Sequence, residues 1–297
     1  MREPAVIRML PDCRRLHLHD GPIDLIIEAS GTPQAISTAY KAAARRFISI
    51  LDELCSELPL LRTRVLRNSE RPRGAVAQRM FAAVEPYCEL CFITPMAAVA
   101  GAVAETILDS MLGVAPLDRA YVNDGGDIAI HLNENQSYKI GMVERPDRPS
   151  LFGSLEISAA DPVRGIATSG WRGRSFSLGI ADAVTVLADS AATADAAATV
   201  IANAVNLPNH PCITRVAARE IAPDSDLGDL LVTRGVELLS DSEIAAALDS
   251  GVRVAETLRA QGLIHSSALC LQGHTRVVSP LLTQTFIALS QRSLLHA

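Results

Sequence analysis

Apolar residues recur at every second position in some segments and at helical intervals in others. These two spacings predict the order of strands and helices along the chain. Apolar positions alternate on both sides of the turn Asp20-Gly21-Pro22, which predicts a two-stranded hairpin within residues 14–30. Ala, Ile, Leu and Phe then recur at helical intervals over residues 33–58, and a second helical stretch covers residues 74–87. The first part of the chain is therefore expected to be a hairpin followed by helices.

A clear helix start lies at Thr94-Pro95. Threonine is a common N-cap residue, proline is favoured at the first helical position, and Gly113 supplies a stop signal. Six short strand patterns come next, before a helix over about residues 192–205. These patterns are AYVN, DIAIHL, SYKIGMVE, SLEISA, GIATSG and DAVTVLAD.

The last third of the chain repeats this order of elements. Ser240 and Glu243 have the spacing of a capping box, which predicts the start of a helix that ends at Gly262. The segment ALCLQGHTRVVS predicts a second hairpin, and a final helix closes the chain. Strands in runs, with helices between the runs, favour an α+β fold with an antiparallel sheet. We expect one domain over residues 1–297, a length that also allows two structurally similar halves.

Composition narrows the range of partners. The 297-residue chain has a formal net charge of −6, which does not favour nucleic acid or an anionic membrane surface. Its first residues lack the pattern of an export signal, and its longest apolar run, residues 96–104, is too short to cross a bilayer. We therefore expect a cytoplasmic protein. Its six cysteines, which include one CxxC pair at Cys88 and Cys91, are expected to be buried thiols.

The segment VNDGGDIAIHL places two glycines between two aspartates. Gly125 and Gly126 suit a tight corner between strands, because glycine adopts backbone angles that other residues avoid. They also leave bare backbone beside the carboxylate of Asp127, which suits contact with a ligand. Both interpretations remain open from the residues alone.

The segment ADAAAT holds a candidate metal pair. Asp195 and Thr199 lie four residues apart in a predicted helix and therefore share one face. A carboxylate and a hydroxyl are hard oxygen ligands that suit Mg²⁺, with the phosphates of a ligand filling other positions. The alternative is that Asp195 supports the helix N-terminus while Thr199 packs.

The segment GIATSGWRGRS combines hydroxyls with guanidinium groups. Thr168, Ser169 and Gly170 end a predicted strand, and Arg172 and Arg174 follow at once. This combination suits an anionic group of a ligand. A second arginine-rich stretch, residues 62–73, is either a solvated loop or a flap that meets a phosphate or carboxylate.

Together the three motifs resemble the ApbE family of Mg²⁺-dependent FAD:protein FMN transferases. NDGGDIAI, ATSG and ADAAAT follow a helix and a strand in the family's order, over about residues 95–205. The resemblance implies a T-fold-like architecture of antiparallel sheets backed by helices, with Mg²⁺ and FAD, or a related flavin or pterin, bound. It implies three groups of site residues: the metal pair Asp195 and Thr199, the flavin-nucleotide segment Gly125, Gly126 and Asp127, and the strand segment Thr168, Ser169 and Gly170.

The chain also departs from the transferase pattern. Where the family carries KGYAxD this chain reads VAGAVAETI, and the family's His-Ile-(Ile/Leu)-Asp-Pro-x-Thr-Gly segment is replaced by SFSLGIADAVTVLADSA. It is similar to the cytoplasmic, largely uncharacterised ApbE-like branch, in which GIATSGWxGRS, GIADAVTVLA and ADAAAT stand together. We therefore expect a reaction other than protein flavinylation.

Two functions are compatible with these residues. The first is a Mg²⁺-dependent enzyme acting on a flavin-, pterin- or nucleotide-like phosphorylated small molecule, with Arg172 or Arg174 neutralising charge. The second is a non-catalytic flavin- or nucleotide-binding protein on the same scaffold. Because T-fold-type sheets often assemble through their edges, a homodimer is expected by analogy.

Overall fold

The computed structural model describes residues 4–143 and 151–278. Its described residues group into two compact units. The first unit contains residues 4–137, 158–167 and 189–196, and the second contains residues 138–143, 151–157, 168–188 and 197–278. Each unit is described separately below.

The described residues form strands and helices in similar proportion. In chain order they are β1 Val6–Met9, β2 Leu16–Asp20, β3 Ile23–Ser30, β4 Arg119–Asp124, β5 Asp127–Leu132, β6 Ser137–Val143, β7 Leu151–Ser158, β8 Gly165–Ser169, β9 Ala183–Ala188, β10 Ile213–Ala217, β11 Leu231–Val236, β12 Ser266–Leu271 and β13 His274–Val278. The helices are α1 Pro33–Ser56, α2 Leu58–Leu61, α3 Ala75–Val84, α4 Val99–Leu112, α5 Ala191–Ala204, α6 Ala218–Ile221 and α7 Asp241–Ala260. Two 3₁₀ turns, Glu85–Tyr87 and Pro95–Ala98, follow α3 and precede α4.

The first unit is an antiparallel sheet covered by helices. Strands β1 to β5 pair in sequence order, and β8 then pairs with β5 through Ile128↔Ile166 and Ala129↔Gly165. Residues on β2, β3 and β4 alternate between buried and more exposed positions, as in a sheet with one covered face. Helix α4 packs against β4 and β5 and against α1 and α3. The buried face carries Leu18, Leu25, Ile27 and Val122.

The second unit holds the strands β9, β12 and β13. Strand β12 pairs antiparallel with β9 on one side and with β13 on the other, and α7 packs on β12 and β13. Every residue of β9 and of β12 is buried, so these strands read as continuous apolar or small-residue runs. Strands β10 and β11 form a separate antiparallel pair, and most of the pair β6 and β7 also belongs to this unit.

The predicted α+β class with antiparallel strands backed by helices is confirmed. Helix α7 begins with the predicted capping box, in which Ser240 and Glu243 each bond the other's backbone. Thr94 is the N-cap residue and Pro95 begins the first turn, as predicted, but this turn is a 3₁₀ turn and the threonine side chain makes no capping bond to it. Strands β1, β10 and β11 were not predicted. The predicted closing helix lies outside the described residues.

The segment Pro95–Leu112 is longer than the apolar run seen in the sequence. Among the described residues it is the one helical segment long and apolar enough to cross a membrane by length and composition, and half of it is buried inside the protein. Core helices of soluble proteins pass the same test. Here the buried side chains include Val103, Ile107 and Met111 of α4, which pack in the first unit.

Candidate active site

The DGGD segment is a two-residue hairpin turn between β4 and β5. Asp124 and Asp127 are directly paired, and Gly125 and Gly126 between them have φ angles of 63° and 120°. Asn123 closes the turn, because its Oδ1 accepts a hydrogen bond of 2.8 Å from the backbone N–H of Gly126. A Cβ added to Gly126 would meet no atom within 4 Å. The turn therefore needs glycine for its backbone angles, and it leaves open space beside the main chain.

Asp124 is a buried carboxylate that the sequence reasoning passed over. Its side chain retains 7% exposure, on the covered face of β4, and its Oδ1 accepts a long bond of 3.4 Å from the backbone N–H of Asp24. The alternation along β4 is the signal that predicts its inward direction. An acidic residue in that register is unusual, because buried carboxylates require compensation.

Two close backbone contacts hold the N-terminus of α5. A Cβ added to Gly101 on α4 would lie 2.3 Å from the carbonyl oxygen of Ala191, and one added to Gly165 on β8 would lie 2.0 Å from the carbonyl carbon of Ser190. No side chain fits at either position. Helix α5 therefore starts in direct backbone contact with both elements.

Glu105 on α4 makes a third contact with the start of α5. Together, the contacts of Gly101, Gly165 and Glu105 form what is called the clamp below. Its Oε1 accepts a bond of 3.0 Å from the backbone N–H of Ala191, one of the unpaired donors at the helix start. Its Oε2 receives the guanidinium of Arg79 at 3.2 Å. Burial raises the pKa of the Glu105 carboxyl, and Arg79 opposes that rise. These contacts fix the first turn of α5, and with it the residue one turn further on, Asp195.

Asp195 is the predicted metal ligand, and its environment is unusual for a carboxylate. The backbone N–H of Gly101 donates a bond of 3.0 Å to its Oδ2. Burial raises its pKa from 3.8 to about 7, and the nearby Asp124 carboxylate adds to the rise, while the amides of Gly101 and Ala100 oppose it. Two acidic groups thus approach each other where little water screens them. A bound cation would relieve that repulsion.

Thr199 lies four residues after Asp195 on α5 and is half-buried. Both residues belong to the predicted helix, and their pairing at a metal ion stays a prediction. Within the described residues no group of three or more His, Cys, Asp or Glu side chains is arranged to hold a metal ion. The oxygen donors at Asp195 and Thr199 fit Mg²⁺, which commonly uses one or two carboxylates together with water and ligand phosphates.

In the second unit, the TSG segment is tied to neighbouring residues. The hydroxyl of Thr168 lies 2.9 Å from the hydroxyl of Thr185, while Ser169 is half-buried. A Cβ added to Gly170 would lie 2.4 Å from the carbonyl oxygen of Asp182, so this glycine allows close packing of two backbone segments. A ligand-binding role for the three residues stays a prediction.

The two arginines after TSG have different surroundings. The Nε of Arg172 donates a bond of 2.5 Å to the buried carboxylate of Asp182, and its guanidinium carbon lies 4.3 Å from the ring centroid of Trp171. Arg174 is exposed. Arg172 is therefore held in place by a buried partner of its own unit.

The arginine-rich loop and the cysteines lie in other surroundings. Arg67 and Arg71 pair with Glu89 and Glu85, so part of the predicted flap meets carboxylates of the chain itself. A cavity of about 640 Å³ beside this loop is lined by Glu53, Ser56, Glu57, Pro59, Leu60, Glu70, Arg71, Arg73 and Gly74. All six cysteines are free thiols, as expected, but only Cys88 and Cys270 are buried; Cys91 and Cys212 are half-buried, and Cys13 and Cys55 are exposed.

Comparison with known proteins agrees with the resemblance seen in the motifs. A UPF0280 protein of Methanopyrus kandleri is 35% identical over 182 residues, which are 61% of this chain and 69% of the relative. A UPF0280 protein of Methanothrix thermoacetophila is 40% identical over 117 residues, which are 39% of this chain and 48% of the relative. The chain thus spans about half the length of the second relative.

Solved structures give a further likeness in fold. A mutant of the flavin transferase ApbE from Vibrio cholerae has 12% identity and a TM-score of 0.48, over 91% of this chain and 99% of that chain. The ApbE protein of Thermotoga maritima gives the same identity and score, over 93% and 96% of the two chains. Both scores are below 0.5.

The family model described as AbpE bacteria matches residues 7–277. This match covers nearly the whole chain and includes the DGGD, TSG and ADAAAT segments. The chain therefore belongs to this ApbE-like family.

Proposed function

We propose that the protein is a Mg²⁺-dependent enzyme acting on a phosphorylated small molecule of the flavin, pterin or nucleotide type, in a reaction other than protein flavinylation. The observation that carries the proposal is the Asp195 carboxylate. It is held by the backbone N–H of Gly101, and its pKa is raised by burial and by the charge of Asp124. A group with only a structural role in this position is more stable as an uncharged side chain.

Asp195 and Thr199 are the residues that would hold the cation on α5, and bound Mg²⁺ would polarise a phosphoryl oxygen. The chain's own contribution is to keep the two oxygen donors in place. The contacts of Gly101, Gly165 and Glu105 with the start of α5 fix the helix before any ligand arrives. Such fixed donors lower the entropy lost on binding.

The other predicted ligand residues keep their proposed roles within their own units. In the first unit, the exposed Gly125 and the open space beside Gly126 would give a ligand access to the main chain, with Asp127 beside it. In the second unit, Thr168 and Ser169 supply hydroxyls, and Gly170 permits the packing of the segment. Arg172 and Arg174 supply positive charge for an anionic group.

A binding protein without catalysis is the second candidate. The stretch SFSLGIADAVTVLADSA, between TSG and α5, contains no histidine, whereas the transferases of the family carry one there. Loss of that side chain removes a group able to transfer protons while leaving the donors for metal and ligand intact. The same scaffold then carries or senses a flavin-like ligand.

Binding and turnover assays separate the two candidates. FAD and FMN are titrated into the protein with Mg²⁺ and with a chelator, and the ligand recovered after incubation is analysed by chromatography. An enzyme converts FAD in the presence of Mg²⁺, and the Asp195→Asn variant does not. Glu256→Gln, which removes an exposed carboxylate of α7, is the control and retains activity. Mg²⁺-dependent binding without conversion supports the second candidate, and binding indifferent to Mg²⁺ refutes the metal role.

A further inference from the structure

The second unit contains a buried carboxylate to which the proposed function gives no role. Asp182 precedes β9 and retains 3% exposure. Its oxygens accept three bonds: 3.1 Å from the indole N–H of Trp171, 2.5 Å from Nε of Arg172, and 2.6 Å from the backbone N–H of Gln272. The burial cost of this charge is offset by one cation and two neutral donors.

The local sequence brings Asp182 to the arginine. Gly170 lies so close to the carbonyl oxygen of Asp182 that no Cβ fits, and the backbone N–H of Trp171 donates a bond of 3.0 Å to the carbonyl oxygen of Ala181. The chain after TSG therefore runs directly past the entry of β9. This places the side chains of residues 171 and 172 beside the carboxylate.

Arg172 is held through one edge only. Its Nε is bonded to Asp182, its plane lies over the ring of Trp171, and its side chain is 22% exposed. Across the described part of the chain, its two terminal nitrogens form no hydrogen bond. A guanidinium fixed in this way presents its remaining edge for two parallel bonds to one oxyanion.

We propose that Asp182 is a positioning residue that holds Arg172, supported by the ring of Trp171, so that its two terminal nitrogens meet the phosphate of the ligand. The inference rests on the proposed function for the identity of the ligand. Its physical basis is preorganisation. A free arginine loses side-chain entropy when it binds an anion, whereas Arg172 has lost part of that freedom before the ligand arrives.

The single tryptophan of the chain gives a direct assay. Fluorescence of Trp171 is followed while FMN, riboflavin and pyrophosphate are titrated into the wild type and the variants Asp182→Asn, Arg172→Gln and the double substitution. FMN and riboflavin differ by one phosphate, so the ratio of their dissociation constants isolates the phosphate contact. Each single substitution should reduce the preference for FMN about tenfold, the equivalent of one charge-assisted hydrogen bond.

The double variant tests whether Asp182 acts through Arg172. If it does, Asp182→Asn has no further effect on the phosphate preference once Arg172 is glutamine. Equal weakening of FMN and riboflavin binding, or additive effects in the double variant, would overturn the proposal. Arg172→Lys keeps the charge and leaves Asp182 bonded to Trp171 and Gln272, so this variant is expected to remain folded. It should also lose the preference for phosphate, and full retention would contradict the orientation argument.

The pyrophosphate titration separates this inference from the proposed function. If the wild type binds neither flavin but binds pyrophosphate in a manner sensitive to Asp182 and Arg172, the flavin-type function fails and the positioning role stands. Binding of pyrophosphate is also followed by isothermal titration calorimetry. If pyrophosphate changes neither the fluorescence of Trp171 nor the heat of titration, the positioning role fails as well.

Discussion

Replacing Asp195 by asparagine should stabilise the metal-free protein at neutral pH while weakening its response to Mg²⁺. The carboxylate is desolvated and lies near Asp124, and both effects oppose its ionisation. Asparagine has nearly the same shape and no charge. A residue that only supports a helix N-terminus would show the opposite effect, because removing its negative charge there costs stability.

The magnitude follows from the pKa of Asp195. A rise from 3.8 to about 7 corresponds to a penalty on the order of a few kcal/mol for the ionised form. Asparagine retains an acceptor for the N–H of Gly101, but it loses the second backbone bond, from Ala100, at a cost of about 1 kcal/mol. The free energy of unfolding of the variant should exceed that of the wild type by roughly 1 to 3 kcal/mol at pH 8.

The sign of the pH dependence is fixed by the direction of the shift. Because the folded-state pKa of Asp195 is raised, its contribution to stability is fully present below about pH 3.8 and is lost as the pH rises through about 7. The wild type should therefore lose stability relative to Asp195→Asn between these values. The difference should be constant above them.

Urea unfolding in the presence of a chelator, followed across this pH range, measures the difference. Glu256→Gln, at an exposed position of α7, controls for the loss of one carboxylate, and Thr199→Val controls for the loss of a ligand without a change of charge. Neither control should alter the pH dependence. The reasoning is refuted if Asp195→Asn is less stable than the wild type at pH 8 and has the same pH profile.

Three further substitutions test the geometry of the first unit. Gly101→Ala should lower the free energy of unfolding by about 3 kcal/mol or more, because its Cβ would lie 2.3 Å from a backbone oxygen. Gly113→Ala, with a nearest contact of 3.4 Å, should be nearly neutral in the same urea unfolding experiment. Equal effects of the two substitutions would contradict the close packing at Gly101. Gly126→Leu should cost roughly 1 to 2 kcal/mol because of its positive φ, yet abolish flavin-nucleotide binding in calorimetry, and unchanged affinity in the folded variant would limit the glycine to the turn. Glu105→Ala should lower the free energy of unfolding by roughly 1 to 2 kcal/mol, because the N–H of Ala191 loses its partner, and an unchanged urea midpoint would count against the clamp.

The sequence predicts most of the elements because their signals are local. The capping box at Ser240 and Glu243 and the paired glycines of the β4–β5 turn involve residues three positions apart or fewer, so short-range chemistry decides the structure. Strands β10 and β11 cannot be predicted from local patterns. The segment ITRVA does not show strict alternation, and its register with LVTRGV shifts at a bulge between Thr214 and Arg215.

The candidate site can be predicted only in part from such local signals. Helical spacing is enough to pair Asp195 with Thr199, but the contact between Gly101 and Asp195 joins positions 94 residues apart. Nothing in the sequence around Gly101 or Asp195 predicts that the two residues are in contact. The role of Asp124 depends on the face of β4 that α4 covers, and the bond between Arg172 and Asp182 depends on the approach that Gly170 permits. Such features appear only when the chain is folded.

The Mg²⁺ dependence of flavin-nucleotide binding tests the central claim most directly. Isothermal titration of FAD into the wild type and into Asp195→Asn, each with and without Mg²⁺, measures the coupling between metal and ligand. We predict that Mg²⁺ tightens binding to the wild type at least tenfold and has little effect on the variant. Equal affinity in all four titrations would contradict a metal-assisted ligand site at Asp195.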